Sequence, residues 1–380
     1  MARKRMTNKE IKKAHELLRK QEKDKKRLEL LKAREWYCLR SILGYQWAMF
    51  YFLLGGREAG KSYAVTEFFV KQFKHYGRPF FWLRLSETSA KKLLTNNAEK
   101  LIDPDIRRKY DLDLVTNGNN VYCVTERTKP NKKGETKIKS KVLMARVFSI
   151  ATFYNDKGSG LFDKDFLQDP NMYYNICMDE MNREKSEKNS FDIVYSFTNQ
   201  IENLVRSTKQ RLRIICIGNT LEEASDLLCA FNFIPEDFGR YKLKSKRAVV
   251  EYIPPTEAYL ERRKGTVADI LMPNASTFTN KIDTDNTLVY KGRLHTPLNV
   301  IKFSKDSSQW FTLWDNGVIS KWNKENKPAL AMKPYLDEIF NAKIRDQIIL
   351  NFDCRAYKYK DLITFKTFQK YISILKPRGN

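Results

Sequence analysis

The sequence predicts an α/β fold: a mostly parallel sheet covered by helices, followed by a smaller α/β unit. Three observations carry this. From about residue 47 to 217, short runs of β-branched and aromatic residues alternate with stretches of helical spacing, the pattern of strands joined by crossover helices. The apolar run at 47–54 stops at Gly55-Gly56, as a strand buried on both faces stops where the chain must turn. The chain has 380 residues, enough for two domains with cores of their own.

Residues 1–34 hold 14 Lys/Arg against 5 Asp/Glu and no Gly or Pro. They read as a basic helix or arm within an N-terminal extension, 1–40. The main α/β domain is placed at 41–250. In it, a helix at 63–75 closes at Gly77, a second strand spans 79–85, and Ser86 or Thr88 caps the helix after it. Short β-rich segments at 120–125 and 141–152 flank a basic, hairpin-like loop, Lys129–Lys139. Strands follow at 172–178 and 212–217, with helical stretches in 191–210 and 220–231. A lid or linker is expected over 251–292, with a short helix at 256–264. The second α/β unit, 293–380, has strands at 298–303, 310–314, 318–322 and 347–352 and helices at 335–346 and 365–375.

Net charge is +25, from 70 Lys/Arg and 45 Asp/Glu. Self-repulsion of that size calls for polyanions, nucleic acid first among them; a generally Lys-rich composition is the other reading. The basic loop is likewise either a contact to DNA phosphates or a solvated surface. Six cysteines are scattered without a C-x-x-C pair, and three histidines are dispersed, which argues against a zinc site. No apolar run reaches the roughly 18 residues of a membrane span, and the chain is expected to work in a cytoplasm.

The chemistry concentrates in two places. Gly55-Gly56-Arg57-Glu58-Ala59-Gly60-Lys61-Ser62 fits G-x-x-x-x-G-K-[ST], with a strand before and a helix after. The glycines let backbone N–H groups face phosphate, and the helix N-terminus adds positive potential. Lys61 would reach the β- and γ-phosphates, and the Ser62 hydroxyl would ligate magnesium. The implied ligands are ATP and Mg2+. The 172–178 strand runs into Asp179-Glu180. Asp179 would hold the metal's shell; Glu180 would orient or deprotonate the attacking water, which favours hydrolysis over transfer to a small acceptor. A third strand ends in Gly218-Asn219-Thr220, where Asn219 is either a γ-phosphate sensor or a helix cap. Arg206, Arg211 and Arg213 are candidates for an arginine finger reaching a neighbouring subunit. Tyr45, Gln46 and Trp47 are candidates to flank the adenine, with packing as the alternative for Trp47.

These motifs together resemble the genome-packaging (encapsidation) ATPases of small, protein-primed tailed phages. Those are terminase-like P-loop motors of the additional-strand, catalytic-glutamate class, RecA/FtsK-like in fold. The resemblance covers about residues 45–265. It rests on the Gly55–Ser62 loop with Arg57 at its third position, Trp82-Leu83-Arg84-Leu85, Met178-Asp179-Glu180, Gly218-Asn219-Thr220 and the Val249–Pro254 passage into a lid. It implies ATP-driven translocation of double-stranded DNA into a preformed prohead by a pentameric homo-oligomeric ring at the portal vertex, in the host cytoplasm, and a packaging RNA as a further partner. It also implies trans-acting residues, matched here by Arg206 and Lys157. The second unit is similar to a ribonuclease-H-type nuclease. Its first strand carries Lys302 and no acid, and Asp353 lacks acidic neighbours in sequence, so a nuclease-inactive docking domain is expected. Glu58 departs from the small residue usual there and is expected to turn away or pair with a cation. Other P-loop nucleic-acid motors (a helicase or a conjugation-type pump) and a nucleotide-gated scaffold without turnover remain the alternatives.

Overall fold

The computed structural model describes residues 8–131, 134–152, 173–182, 192–205, 211–219, 225–271, 288–303, 309–322 and 342–375. The chain divides into two compact units. One comprises residues 1–221 with 235–282, the other 222–234 with 283–380. The segment 222–234, expected inside the main domain, thus groups with the second unit, while 251–282 groups with the first.

Unit 1 opens with α1 (Asn8–Lys32) and the short α2 (Arg40–Leu43). Its centre is a nine-stranded sheet in the order β3-β4-β5-β2-β6-β7-β1-β9-β8. The six inner strands are β5 (Gly134–Ser149), β2 (Phe80–Arg84), β6 (Tyr173–Asp179), β7 (Arg211–Asn219), β1 (Phe50–Gly55) and β9 (Ala248–Tyr252). They run parallel to one another. Antiparallel strands complete the edges: β3 (Asp113–Asn117) and β4 (Asn120–Asn131) beyond β5, and β8 (Gly239–Leu243) beyond β9. Tyr51, Phe52, Leu53 and Ile214, Ile215, Cys216 are fully buried, which explains why these strands read as continuous apolar runs rather than alternating ones.

Helix α3 (Lys61–Tyr76) follows the P-loop and lies on this sheet. It buries Val65, Phe69 and Phe73, spaced four apart on one face. The Phe69 ring meets Phe80 at 5.3 Å and Trp82 at 6.3 Å. Gly77, left-handed at φ 68°, ends the helix and donates its N–H to the Phe73 carbonyl at 2.7 Å. Helices α4 (Glu87–Ala98) and α5 (Pro104–Tyr110) follow β2, and α6 (Ile193–Val205) lies between β6 and β7 in the chain.

Several elements differ from the sequence reading. The expected basic loop at 129–139 is mostly strand: β4 runs to Asn131 and β5 starts at Gly134, with Glu126 opposite Lys139 and Thr128 opposite Lys137 in the ladder. Low intrinsic strand propensity is overridden here by continuous cross-strand pairing. β3, β8 and α5 were absent from that reading because they are short and partly polar.

Unit 2 contains α7 (Asp226–Ala230) and a four-stranded sheet, β10 (Pro297–Lys302), β11 (Trp310–Trp314), β12 (Val318–Lys321) and β13 (Lys358–Tyr359), in that order. The first three are antiparallel; β13 pairs with β12 in parallel. Phe303, Phe311, Ile348, Tyr359, Phe368 and Ile372 form its core. The expected strand at 347–352 is instead the body of α9 (Ala342–Asp353). A six-residue apolar run does not distinguish strand from buried helix. Ile348 and Phe352, four residues apart, face the core while Leu350 is exposed. Asp353 therefore ends a helix rather than following a strand. A further helix, α10 (Leu362–Leu375), supplies Phe368 and Ile372.

Candidate nucleotide site

β1, β7 and β6 deliver the site at their C-terminal ends, along the rim of the sheet where the P-loop leaves β1. Gly55 lies level with Asn219, and Ile217 level with Asp179. The acid-bearing strand is next but one to the P-loop strand, with β7 between them, rather than its direct neighbour. The P-loop then passes from Gly55 into α3, whose N-cap is Gly60. Gly60 sits at φ 81°, a left-handed conformation that a side chain would strain. No acidic residue occupies the first turn of α3, so its free N–H groups present an undiluted positive end.

Lys61 is buried, and its ammonium donates to the carbonyls of Gly55 at 3.0 Å and Gly56 at 2.6 Å. Burial lowers its pKa to about 8, against the opposing pull of Asp179. The Ser62 hydroxyl donates to Asp179 Oδ1 at 3.4 Å. Asp179 is buried, which raises its pKa; the Arg84 guanidinium, 2.8 Å from Asp179 Oδ2, works the other way. The same guanidinium also pairs with Glu180. Arg84 comes from the end of β2 and is the cation common to both acids.

Glu180 itself is half exposed and left-handed at φ 54°, an uncommon backbone for glutamate that costs about 1–3 kcal/mol. Its N–H donates to Asp179 Oδ1 at 3.1 Å, and the following Met181 N–H donates to the Ile217 carbonyl at 3.0 Å. This sharp turn carries Met181 and Asn182 over Gly218. A Cβ at Gly218 would lie 2.7 Å from Asn182 Nδ2 and 2.9 Å from Met181 Cε. A side chain there would fit only if the ends of the Asn182 and Met181 side chains moved aside. The amide of Asn182 is buried with neither end bonded among the described residues, a polar group at the site that the sequence reading passed over.

Asn219 closes β7 beside Gly55 and is partly exposed. The next described helix, α7, is capped by Ser225, so Asn219 is not its cap. Glu58 is exposed and 3.9 Å from Arg263 of α8 (Glu257–Arg263), which fits the expectation that it pairs with a cation. Arg57 lies in the same exposed loop. The chain after β9 returns beside the P-loop: Ile253 N–H donates to the Leu54 carbonyl at 2.7 Å.

One expectation is corrected. Tyr45, Gln46 and Trp47 precede β1 and so lie at the opposite edge of the sheet, about 20 Å from the P-loop along six extended residues. They do not flank the nucleotide site. The aromatic that does is Trp36, half exposed, whose ring would stand 3.3 Å from a Cβ on Gly60. Arg262 lies 4.2 Å over that ring. Tyr37 fixes the segment: its N–H donates to the Ala59 carbonyl at 3.1 Å, and its hydroxyl to buried Glu251 at 2.6 Å. Arg211 and Arg213 likewise begin β7 at the far edge. Arg213 is buried, bonds Asn175 at 3.1 Å and stacks 4.1 Å from the Tyr173 ring. Both lie away from the P-loop of their own chain. Lys157 and Arg206 lie outside the described residues.

The parts fit magnesium and a nucleoside triphosphate. A left-handed glycine opens the cradle, an ammonium sits inside it, and a hydroxyl and a carboxylate meet beside it. Fold and site together define a P-loop NTPase with an added strand between the P-loop strand and the acid-bearing strand. No protein-family model matches the chain. The DNA packaging protein of Bacillus phage phi29 is 22% identical over 80% of this chain and 79% of its own length; that of Bacillus phage PZA is 23% identical over the same shares. Among solved structures, the Phi-28 gp11 DNA packaging motor superposes with a TM-score of 0.58 at 14% identity, covering 92% of this chain and all of that one. The bacteriophage Phi-29 viral genome packaging motor assembly gives 0.55 at 17%, covering 89% of this chain and all of that one. The chain therefore has the fold of the packaging ATPases of protein-primed phages.

Proposed function

We propose that this protein hydrolyses ATP to drive double-stranded DNA into a preformed prohead, acting as the subunit of a homo-oligomeric, pentameric ring at the portal vertex in the host cell. One observation carries the reading: Lys61, Ser62, Asp179 and Glu180 converge at one sheet edge on a fold shared with packaging motors. A packaging RNA is a further partner.

The P-loop N–H groups and Lys61 bind the phosphates, and Ser62 with Asp179 would hold magnesium. The metal supplies Lewis-acid neutralisation of phosphate charge. Glu180 projects from a strained turn at the strand end and positions or deprotonates water. Arg84, bonded to both acids, sets their orientation. The half-exposed Trp36 indole gives the base a stacking surface. Asn219, beside Gly55, reads the γ-phosphate, while Arg206 and Lys157 act from a neighbouring subunit. The second unit serves as the docking domain.

The test is packaging itself. Wild-type protein with proheads, DNA and ATP should protect DNA from nuclease, and Lys61→Ala and Glu180→Gln should not. Protection by either variant would end the proposal. Unwinding of duplex by the wild type would point instead to a helicase.

A further inference from the structure

The sheet edge opposite the P-loop carries groups that the nucleotide site does not use. Tyr173 and Arg211 begin β6 and β7 there, Trp47 precedes β1, and Arg247 precedes β9. With Gln46 they line a cavity of about 360 Å3. A second cavity, of about 520 Å3, shares Trp47 and Arg247 and adds Lys242 and Lys244. Each is large enough for one nucleotide unit.

The electrostatics are one-sided. Arg211, Lys242, Lys244 and Arg247 are exposed, and none makes an ion pair among the described residues. Among the described residues, no carboxylate lines either cavity. Arg240 on the same strand as Lys242 is different, since buried Glu251 takes its charge. The aromatic walls are firm. Tyr173 is held by Arg213 at 4.1 Å, and Arg213 is anchored to Asn175. Trp47 is half buried and packs edge-on to Tyr45 at 6.2 Å.

Cations beside half-exposed rings suit a chain that offers both phosphate and an unstacked π-face. A duplex offers only the phosphates, because its bases are stacked inside. We propose that this edge binds an unpaired nucleic-acid strand. A base lies against Trp47 or Tyr173, and the phosphates meet Arg211, Arg247, Lys242 and Lys244. RNA and single-stranded DNA share this chemistry. The site is at the strand ends opposite the P-loop, so the proposal stands apart from the ATPase reading.

The test uses the full chain and labelled oligonucleotides about a dozen residues long, as RNA, single-stranded DNA and duplex, read by fluorescence anisotropy over a salt series. Trp47→Leu should weaken single-strand binding at least about fivefold and duplex binding far less. Arg211→Gln with Arg247→Gln should flatten the salt dependence by roughly 0.7 in log–log slope for each phosphate no longer neutralised. Tighter binding of the RNA or of the DNA strand names the source, and either supports the site. Trp47→Phe should keep most of the affinity, and Arg247→Gln alone should keep basal ATP turnover. Single-strand binding unchanged in all these variants overturns the proposal. So does Trp47→Phe binding as poorly as Trp47→Leu, which would mark a packing defect in β1.

Discussion

Replacing Arg84 with methionine keeps its bulk and removes its charge. Arg84 lies 2.8 Å from Asp179 Oδ2, and Asp179 is 4% exposed. Removing one partner of a buried pair costs about 3–5 kcal/mol, because a buried charge is left behind. Two features hold the loss to the low end. Lys61 remains to act on Asp179, and Glu180, at 53% exposure, is screened by water. The expected loss is about 3 kcal/mol at pH 8. Its pH dependence has a definite sign. Burial already raises the Asp179 pKa and Arg84 opposes that rise, so the variant's value climbs further. The folded variant then keeps a proton that the unfolded chain releases above about pH 4. Its stability should therefore recover as pH falls from 8 towards 5, by up to about 1.4 kcal/mol per pH unit below the raised pKa. Urea unfolding at a series of pH values, followed by circular dichroism, measures this. A loss under about 1 kcal/mol at pH 8, or parallel pH profiles for variant and wild type, would refute the role of Arg84 as the counter-charge.

Three further outcomes follow from the same site. The Lys61 ammonium, with its pKa lowered to about 8 by burial, must be charged to hold phosphate; nucleotide binding should take up protons and weaken as pH rises through 8, and calorimetry in buffers of different ionisation enthalpy would contradict this by showing no uptake. Gly218→Ala should destabilise by no more than about 1 kcal/mol, since the added Cβ meets only the movable ends of the Met181 and Asn182 side chains; a loss above about 2 kcal/mol would show that the turn over Gly218 is rigid. Trp36→Ala should weaken ATP binding roughly fivefold, about 1 kcal/mol of stacking, while leaving inorganic triphosphate binding unaffected; equal losses for both ligands would place the effect in the P-loop rather than at the base.

Local pattern announced the parts of the site that chain order determines. Gly55–Ser62 and Asp179-Glu180 each sit at the end of a run with strand character, and both strands formed. What sequence left open depends on strand order and end. Tyr45 to Trp47 and Arg211 to Arg213 are near functional motifs along the chain, yet parallel pairing puts them at the far edge. Trp36 is nineteen positions before Gly55, just past the basic arm of 1–34, and the tertiary bond from Tyr37 to Ala59 brings it to the P-loop. A Trp-Tyr pair ending a charged helix was the available signal. Arg84 was visible as part of a motif, but its grip on both acids required the β2–β6 adjacency. In unit 2 the run at 347–352 was ambiguous by length, and packing of Ile348 and Phe352 on one face decided for helix.

The central claim is that one edge of the sheet both holds and hydrolyses ATP, with Glu180 serving the second task alone. The most direct measurement compares ATP affinity and ATP turnover in Glu180→Gln and wild type, with DNA present. Affinity should stay within about twofold while turnover falls at least about 100-fold. Turnover retained in Glu180→Gln, or lost together with binding, would contradict the assignment.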